Sequence, residues 1–135
     1  MTKLKLLAGT AMFGLLLGGA ADAAQLNIAF TVHSATSNTF WQAVKKGFDD
    51  ACEKIQANCQ MIFTQTEGSI AEQQANMQTA LAAKPDALIT SIVDNSAFDE
   101  LIKGARDAGI IVIGTNVDDT DGANGNARQS FIGQG

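Results

Sequence analysis

The chain has 135 residues, 46% of them apolar and only one of them proline, and its formal net charge is −5. This length and composition predict one compact domain with a core of its own. The acidic balance argues against nucleic acid and anionic membrane surfaces as partners, because both are negatively charged.

The first 24 residues have the order of a secretory signal peptide. Lys3 and Lys5 form a basic start, and residues 6–19 form an apolar stretch that is too short to span a bilayer comfortably. Small residues at 21–24 offer a cleavage site after Ala23 or Ala24. We therefore predict a periplasmic protein, exported by a cleaved signal peptide.

Strand and helix patterns alternate from Gln25 onward. Runs of apolar and β-branched residues predict strands at 26–32, 60–64, 87–92 and 110–113, and suggest a fifth at 128–133. Apolar residues three and four positions apart predict helices at 40–56, at 70–83 and between Asn95-Ser96 and Gly109. This alternation predicts an α/β fold with a doubly wound parallel sheet and helices on both faces.

Two adjacent aromatic residues open the first predicted helix, which Asn38 or Ser37 can cap. Phe40 belongs to an apolar stripe that also contains Val44, Phe48, Ala51 and Ile55, so we expect it in the core. Trp41 points about 100° away from Phe40 around the helix axis. Its indole is then free either to face a cleft and stack on a sugar ring or to cover the sheet edge.

Two cysteines, Cys52 and Cys59, lie near the end of the first helix and the start of the second strand. In an exported protein such a pair more often forms a disulfide than a metal site. Free thiols are the alternative. A metal site would need further ligands, and the only histidine, His33, is distant in sequence.

Ligands of open parallel sheets bind outside the carboxyl ends of the strands. The four loops that follow the predicted strands are rich in hydroxyls, amides and carboxylates, and they cover residues 33–38, 64–69, 91–95 and 114–119. The loops at the opposite edge are plainer. This asymmetry predicts a neutral ligand that carries many hydroxyls or amides.

Other chemistries find little support in the sequence. Residues 33–39 lack the glycines that let backbone amides approach a phosphate, which argues against nucleotide cofactors. No Gly-x-Ser-x-Gly motif and no histidine pair is present, so we expect no enzyme activity, and a lone His33 more often packs or hydrogen-bonds. Residues 118–121 resemble a calcium loop but lack its closing glutamate, which favours a solvated turn over a metal site.

Several motifs then occur in a fixed order and spacing. They are Ser37-Asn38-Thr39-Phe40-Trp41, Lys46-Gly47-Phe48, Glu72-Gln73-Gln74, Pro85-Asp86-Ala87-Leu88-Ile89 and Ala108-Gly109-Ile110-Ile111-Val112-Ile113. Together they resemble the type I periplasmic solute-binding proteins of ABC transporters, in particular the sugar-binding branch with the ribose- and galactose-binding proteins. The resemblance covers residues 25–135.

The resemblance implies a protein of two α/β lobes that closes on its ligand like a hinged clamp. Residues 25–127 would form the N-terminal ligand-binding lobe, and residues 128–135 the start of a crossover strand to a second lobe that is absent. We therefore expect a fragment of a longer protein, which would be a monomer when complete. Its partners would be a sugar ligand and the membrane permease of an ABC transporter, without a cofactor. The alternative is a ligand-sensing module that feeds a chemoreceptor or sensor kinase.

The resemblance also implies the residues that contact the sugar. Asn38 would bind a hydroxyl group, Phe40 and Trp41 would stack on the ring, and Asn116 would take a place that is often held by an aspartate. Less specific candidates are Thr90, Ser91, Asp94 and Gln134. This hypothesis requires Asn38, Trp41 and Asn116 to meet at one edge of the sheet.

Overall fold

The computed structural model describes residues 24–133, so the predicted signal peptide and Gln134 lie outside the described residues. Five strands and three α-helices alternate along the chain. They are β1 (Asn27–Ala35), α1 (Thr39–Ile55), β2 (Asn58–Thr64), α2 (Ile70–Ala82), β3 (Ala87–Thr90), α3 (Asn95–Asp107), β4 (Ile111–Thr115) and β5 (Ser130–Ile132). A short 3-10 helix, Gly122–Asn124, lies between β4 and β5.

The strands form one sheet in the order β2-β1-β3-β4-β5, and every neighbouring pair is parallel. Successive residues of a strand face opposite sides of the sheet. Ala29 of β1 packs in a core with residues of α2 and α3, whereas Phe30 packs in a second core with α1. Helices therefore cover both faces, and the predicted doubly wound α/β fold is confirmed.

The core between the sheet and helices α2 and α3 is the larger of the two. Met77, Phe98 and Ile102 of these helices are fully buried against Leu88 and Val112 of the central strands. These three residues lie on the inward faces of the two helices. Burial of these apolar side chains stabilises the packing of the helices on the sheet.

The core on the other face corrects the predicted orientation of α1. Trp41 is only 3% exposed and packs with Phe30 and Val32, whereas Phe40 is 47% exposed and Ile55 is 58% exposed. The inward face of the helix therefore runs through Trp41, Val44, Phe48 and Cys52, and it leaves out Phe40 and Ile55. The physical reason is that the indole removes more apolar surface from water than a phenyl ring does.

Several predicted boundaries differ from the structure. β1 continues to Ala35, so His33 lies within the strand and not in the following loop, and β3 ends at Thr90 instead of residue 92. α3 begins at Asn95, and its N-cap is Asp94 instead of the predicted Asn95-Ser96 pair. Gly109, with φ of 83°, follows the end of this helix as predicted.

A disulfide joins Cys52 in the last turn of α1 to Cys59 in β2, as predicted. Gln56, with φ of 55°, turns the chain between them in the left-handed conformation. The bond lies at the amino-terminal edge of the sheet, because Cys59 is the second residue of its strand.

Candidate functional site

The carboxyl ends of the parallel strands and the loops that follow them form one surface, which we term the strand-tip edge. It comprises residues 36–38 after β1, 65–69 after β2, 91–94 after β3 and 116–119 after β4. The order of connections reverses between β1 and β3, which is where ligands bind in sheets of this order. The topology therefore brings Asn38, Asp94 and Asn116 to one edge, as the sequence predicts.

Asn38 has a structural role at this edge. Its side-chain oxygen accepts hydrogen bonds from the backbone N–H groups of Phe40 at 3.1 Å and Trp41 at 3.5 Å. Its amide nitrogen donates to Glu67 at 3.0 Å. The predicted N-cap of α1 is thus confirmed, and the amide fixes the position of the first helical turn.

The two aromatic residues of that turn, Phe40 and Trp41, lie in the reverse of the positions that the sequence predicts. The ring of Trp41 lies edge-on beneath Phe40, with 5.2 Å between ring centroids, and also contacts Phe30 and His33 edge-on at 6.0 and 5.7 Å. Because Trp41 is buried, the prediction that its indole faces a ligand is wrong. Phe40, which we expected in the core, presents the exposed ring.

Ser91 and Thr90 are also misplaced by the prediction. Both are fully buried, so they lie beneath the strand-tip edge and not on it. The physical reason is that both residues belong to a buried polar layer. In it, Gln73 of α2 donates from Nε2 to the Ser91 carbonyl at 2.8 Å and approaches Thr90 Oγ1 at 3.2 Å. The Thr31 hydroxyl donates to the Thr90 hydroxyl at 3.0 Å.

Glu67 is a residue that sequence reasoning missed. Its carboxylate accepts from the Ser34 hydroxyl at 2.7 Å, from the Ala35 N–H at 2.8 Å and from Asn38. These bonds hold the pKa of Glu67 below its ordinary value, because they favour the ionised form. The bond from the Ala35 N–H has the largest effect. The loop after β2 is thereby fastened to the end of β1 and the start of α1.

Asp94 and Asn116 stand at the two other loops of the edge. Asp94 caps α3 by accepting from the N–H of Ala97 at 2.9 Å and from the Ser96 hydroxyl at 3.0 Å, and these bonds lower its pKa. Asn116 is exposed and adopts the left-handed conformation with φ of 63°. Its backbone N–H donates to the carbonyl of Ile132 in β5 at 3.1 Å. The residue lies at the surface of the edge.

The loop between β4 and β5 is more structured than the predicted solvated turn. Arg128, whose side chain is 6% exposed, pairs with Asp118 through two contacts of 2.6 Å. Asp119 is only 4% exposed and accepts from the N–H of Asp121 at 2.8 Å. A Cβ at Gly125 would lie 2.1 Å from this carboxylate, so only glycine fits there. Within residues 24–133 no cluster of three or more potential metal-binding side chains occurs.

A groove of about 550 Å³ lies at the opposite edge of the sheet, between β2 and α2. Its wall includes Asn27 and Asn58, which begin β1 and β2, and Pro85, which lies in the loop between α2 and β3. Two of its polar side chains are engaged within the fold, since Asn76 donates to the Phe63 carbonyl and Thr79 to the Ala75 carbonyl. The strand-tip edge, and not this groove, is therefore the candidate site.

Known proteins share this architecture. The chain is 27% identical over 114 residues to the ABC transporter periplasmic-binding protein YphF of Escherichia coli (strain K12), which covers 83% of this chain and 35% of that protein. The chain thus spans about a third of the length of the curated relative. In the part of the chain that the structure describes, no helix is long and apolar enough to cross a membrane.

Solved structures show the same fold at low sequence identity. A periplasmic sugar binding protein of an ABC sugar transporter from Legionella pneumophila superposes with a TM-score of 0.74 at 20% identity, over 79% of this chain and 38% of that one. GanP, a glucose-galactose binding protein from Geobacillus stearothermophilus, gives 0.73 at 23% identity, over 83% and 38%. The family model of the periplasmic binding protein domain matches residues 28–135. The chain therefore belongs to the periplasmic binding protein domain family.

Proposed function

We propose that this chain is the N-terminal ligand-binding lobe of a periplasmic component of an ABC transporter that binds a sugar or a similar small polyol for import. Family membership and the names of the relatives support this role, since YphF is named as a transporter component and GanP as a sugar-binding protein. On this proposal the partners are the sugar and a membrane permease, and the protein carries out no catalysis.

The observation that carries the proposal is the exposed ring of Phe40 at the strand-tip edge. An aromatic face stacks on the apolar C–H face of a sugar ring, while polar groups around it bind the hydroxyls. Phe40 is held by the cap of Asn38 and by the buried Trp41 beneath it. A ring fixed before the ligand arrives loses little conformational entropy on binding.

Polar groups for the hydroxyls stand on neighbouring loops. Asn116 supplies an exposed amide after β4, and Asp94 supplies a carboxylate of lowered pKa after β3. An amide both donates and accepts, whereas an ionised carboxylate only accepts. We propose that these two side chains and Phe40 are the contacts of this lobe, with Gln134 as a further contact.

The proposed lobe includes β5, because Ser130–Ile132 pair with β4 in the same sheet. A crossover to a second lobe would then begin after Ile132, somewhat later than the boundary at 127 that the sequence suggests. The curated relative is named as a transport protein, which favours import over the sensing alternative.

Saturation-transfer NMR of the chain with pentoses, hexoses and cyclitols tests the proposal, since the method detects weak binding. We expect transfer to the C–H protons on one face of at least one sugar, and loss of this transfer in Phe40→Ala. Ile55→Ala is the matched control, because it removes another exposed apolar side chain from the far end of α1. Absence of transfer with every sugar, or equal transfer in Phe40→Ala, would contradict the proposal.

A further inference from the structure

His33 is the single histidine of the chain, and it has a defined hydrogen-bond partner beneath the strand-tip edge. It is half-buried near the end of β1, where its Nδ1 lies 2.8 Å from the hydroxyl oxygen of Ser91. Its ring also packs edge-on against Trp41. A neutral histidine has one donor and one acceptor nitrogen, so the direction of the Ser91 bond decides which nitrogen carries the proton.

The amide of Gln73 determines that direction. The Ser91 carbonyl can only accept, so its 2.8 Å contact identifies the Gln73 atom as the NH₂ group. The same nitrogen lies 3.2 Å from both the Ser91 and the Thr90 hydroxyl oxygens, and because it can only donate, it cannot accept the hydroxyl hydrogen of Ser91. The Thr90 hydroxyl also donates to the Ser91 carbonyl at 3.3 Å, so this carbonyl already accepts from two donors.

Within residues 24–133, the Nδ1 atom of His33 is then the one hydrogen-bond partner of the Ser91 hydroxyl that can accept its hydrogen. Ser91 is fully buried, so leaving this hydrogen without a partner would be unfavourable. We infer that Gln73 is a positioning residue that acts through Ser91 to hold His33 as the neutral tautomer with its proton on Nε2. The second nitrogen of the ring is thereby a fixed donor.

The electrostatic surroundings agree with a neutral ring. Burial lowers the pKa of His33 below its ordinary value, and the charge of Glu67, from the loop after β2, opposes this shift. Protonation would also place a hydrogen on Nδ1, where the Ser91 hydroxyl already donates. The Nε2–H group of a neutral His33 is therefore a donor beside Trp41.

The tautomer is measured directly in the ¹⁵N-labelled chain by long-range ¹H–¹⁵N correlation, since one imidazole gives one set of signals. We expect about a tenfold excess of the Nε2–H form in the neutral ring, the population difference that a single buried hydrogen bond maintains. In Gln73→Leu the Ser91 hydroxyl can turn and accept, so the excess of the Nε2–H form should fall toward the ratio of a solvated histidine and the pKa of His33 should rise.

Gln74→Leu is the matched control, because Gln74 donates a comparable bond to the Ala97 carbonyl outside this relay. It should leave the imidazole signals of His33 unchanged. A wild-type ring protonated on Nδ1 would overturn the inference, and this measurement needs no variant to fold. Equal changes in both glutamine variants would overturn it too.

The tautomer of His33 can be tested independently of the proposed function. Its effect on ligand affinity, in contrast, rests on the proposed function. If a sugar binds at this edge, Gln73→Leu should weaken its binding several-fold and Gln74→Leu should not. A confirmed tautomer without any sugar binding would count against the proposed function alone. Binding that is unchanged in Gln73→Leu would refute a positioning role toward the ligand.

Discussion

The adjacent residues Trp41 and Phe40 should differ several-fold in the stability that is lost when each is replaced by alanine. Trp41 is 3% exposed and contacts three aromatic rings, so its truncation leaves a large cavity in the core beneath α1. Substitutions of this kind lower the free energy of unfolding by about 3–5 kcal/mol. Phe40 keeps 47% of its surface in water, so Phe40→Ala should cost only about 1 kcal/mol, roughly half of what full burial contributes.

Urea denaturation followed by far-ultraviolet circular dichroism measures both free energies and does not depend on the indole signal. The two variants control for each other, because they occupy the same helical turn and remove aromatic rings of similar kind. The reasoning about which ring faces the core would be refuted if Phe40→Ala proved the more destabilising. A cost below about 1 kcal/mol for Trp41→Ala would refute it equally, since a buried indole cannot be removed so cheaply.

Two further predictions concern the fastening of β2 at its two ends. Replacement of both Cys52 and Cys59 by alanine should lower the free energy of unfolding by about 2.4 kcal/mol, the loop entropy expected for their separation of 7 residues. Reduced wild-type chain is the control, and a double variant as stable as the oxidised chain would contradict this estimate. The contribution of Glu67 should be present above pH 4.5 and lost as the pH falls through its lowered folded pKa, because only the carboxylate accepts all of its bonds. The free energy of unfolding, measured from pH 6 to pH 3, should therefore fall less steeply in Glu67→Gln than in the wild-type chain. Parallel curves would exclude this contribution of Glu67.

Local signals in the sequence were sufficient for most of the fold. The cap at Asn38, the disulfide and the alternation of strands and helices depend on neighbouring residues, and the structure has all of them. The side of α1 that faces the sheet could not be derived in this way. Val44 and Phe48 belong equally to a stripe through Phe40 and to one through Trp41, so only packing distinguishes the two.

The candidate site depends more on distant contacts, and its prediction was correspondingly less accurate. Glu67 bonds to Ser34, which is 33 residues away, and no local pattern indicates such a contact. Gln73 did carry a signal, because it lies three residues after Ile70 and four before Met77, on the inward face of α2. A polar residue at such a position indicates a buried hydrogen-bond network, and here it leads to Ser91.

The two fastenings of β2 also bear on self-association. Within residues 24–133, β2 is an edge strand, paired only with β1, and an unpaired edge is a template on which another chain can add a strand. The disulfide holds β2 near its start, and Glu67 closes the loop just beyond its end onto β1. A strand that is tied at both ends is held against fraying and against slippage of its register on β1, which makes exchange of this pairing with another chain less favourable.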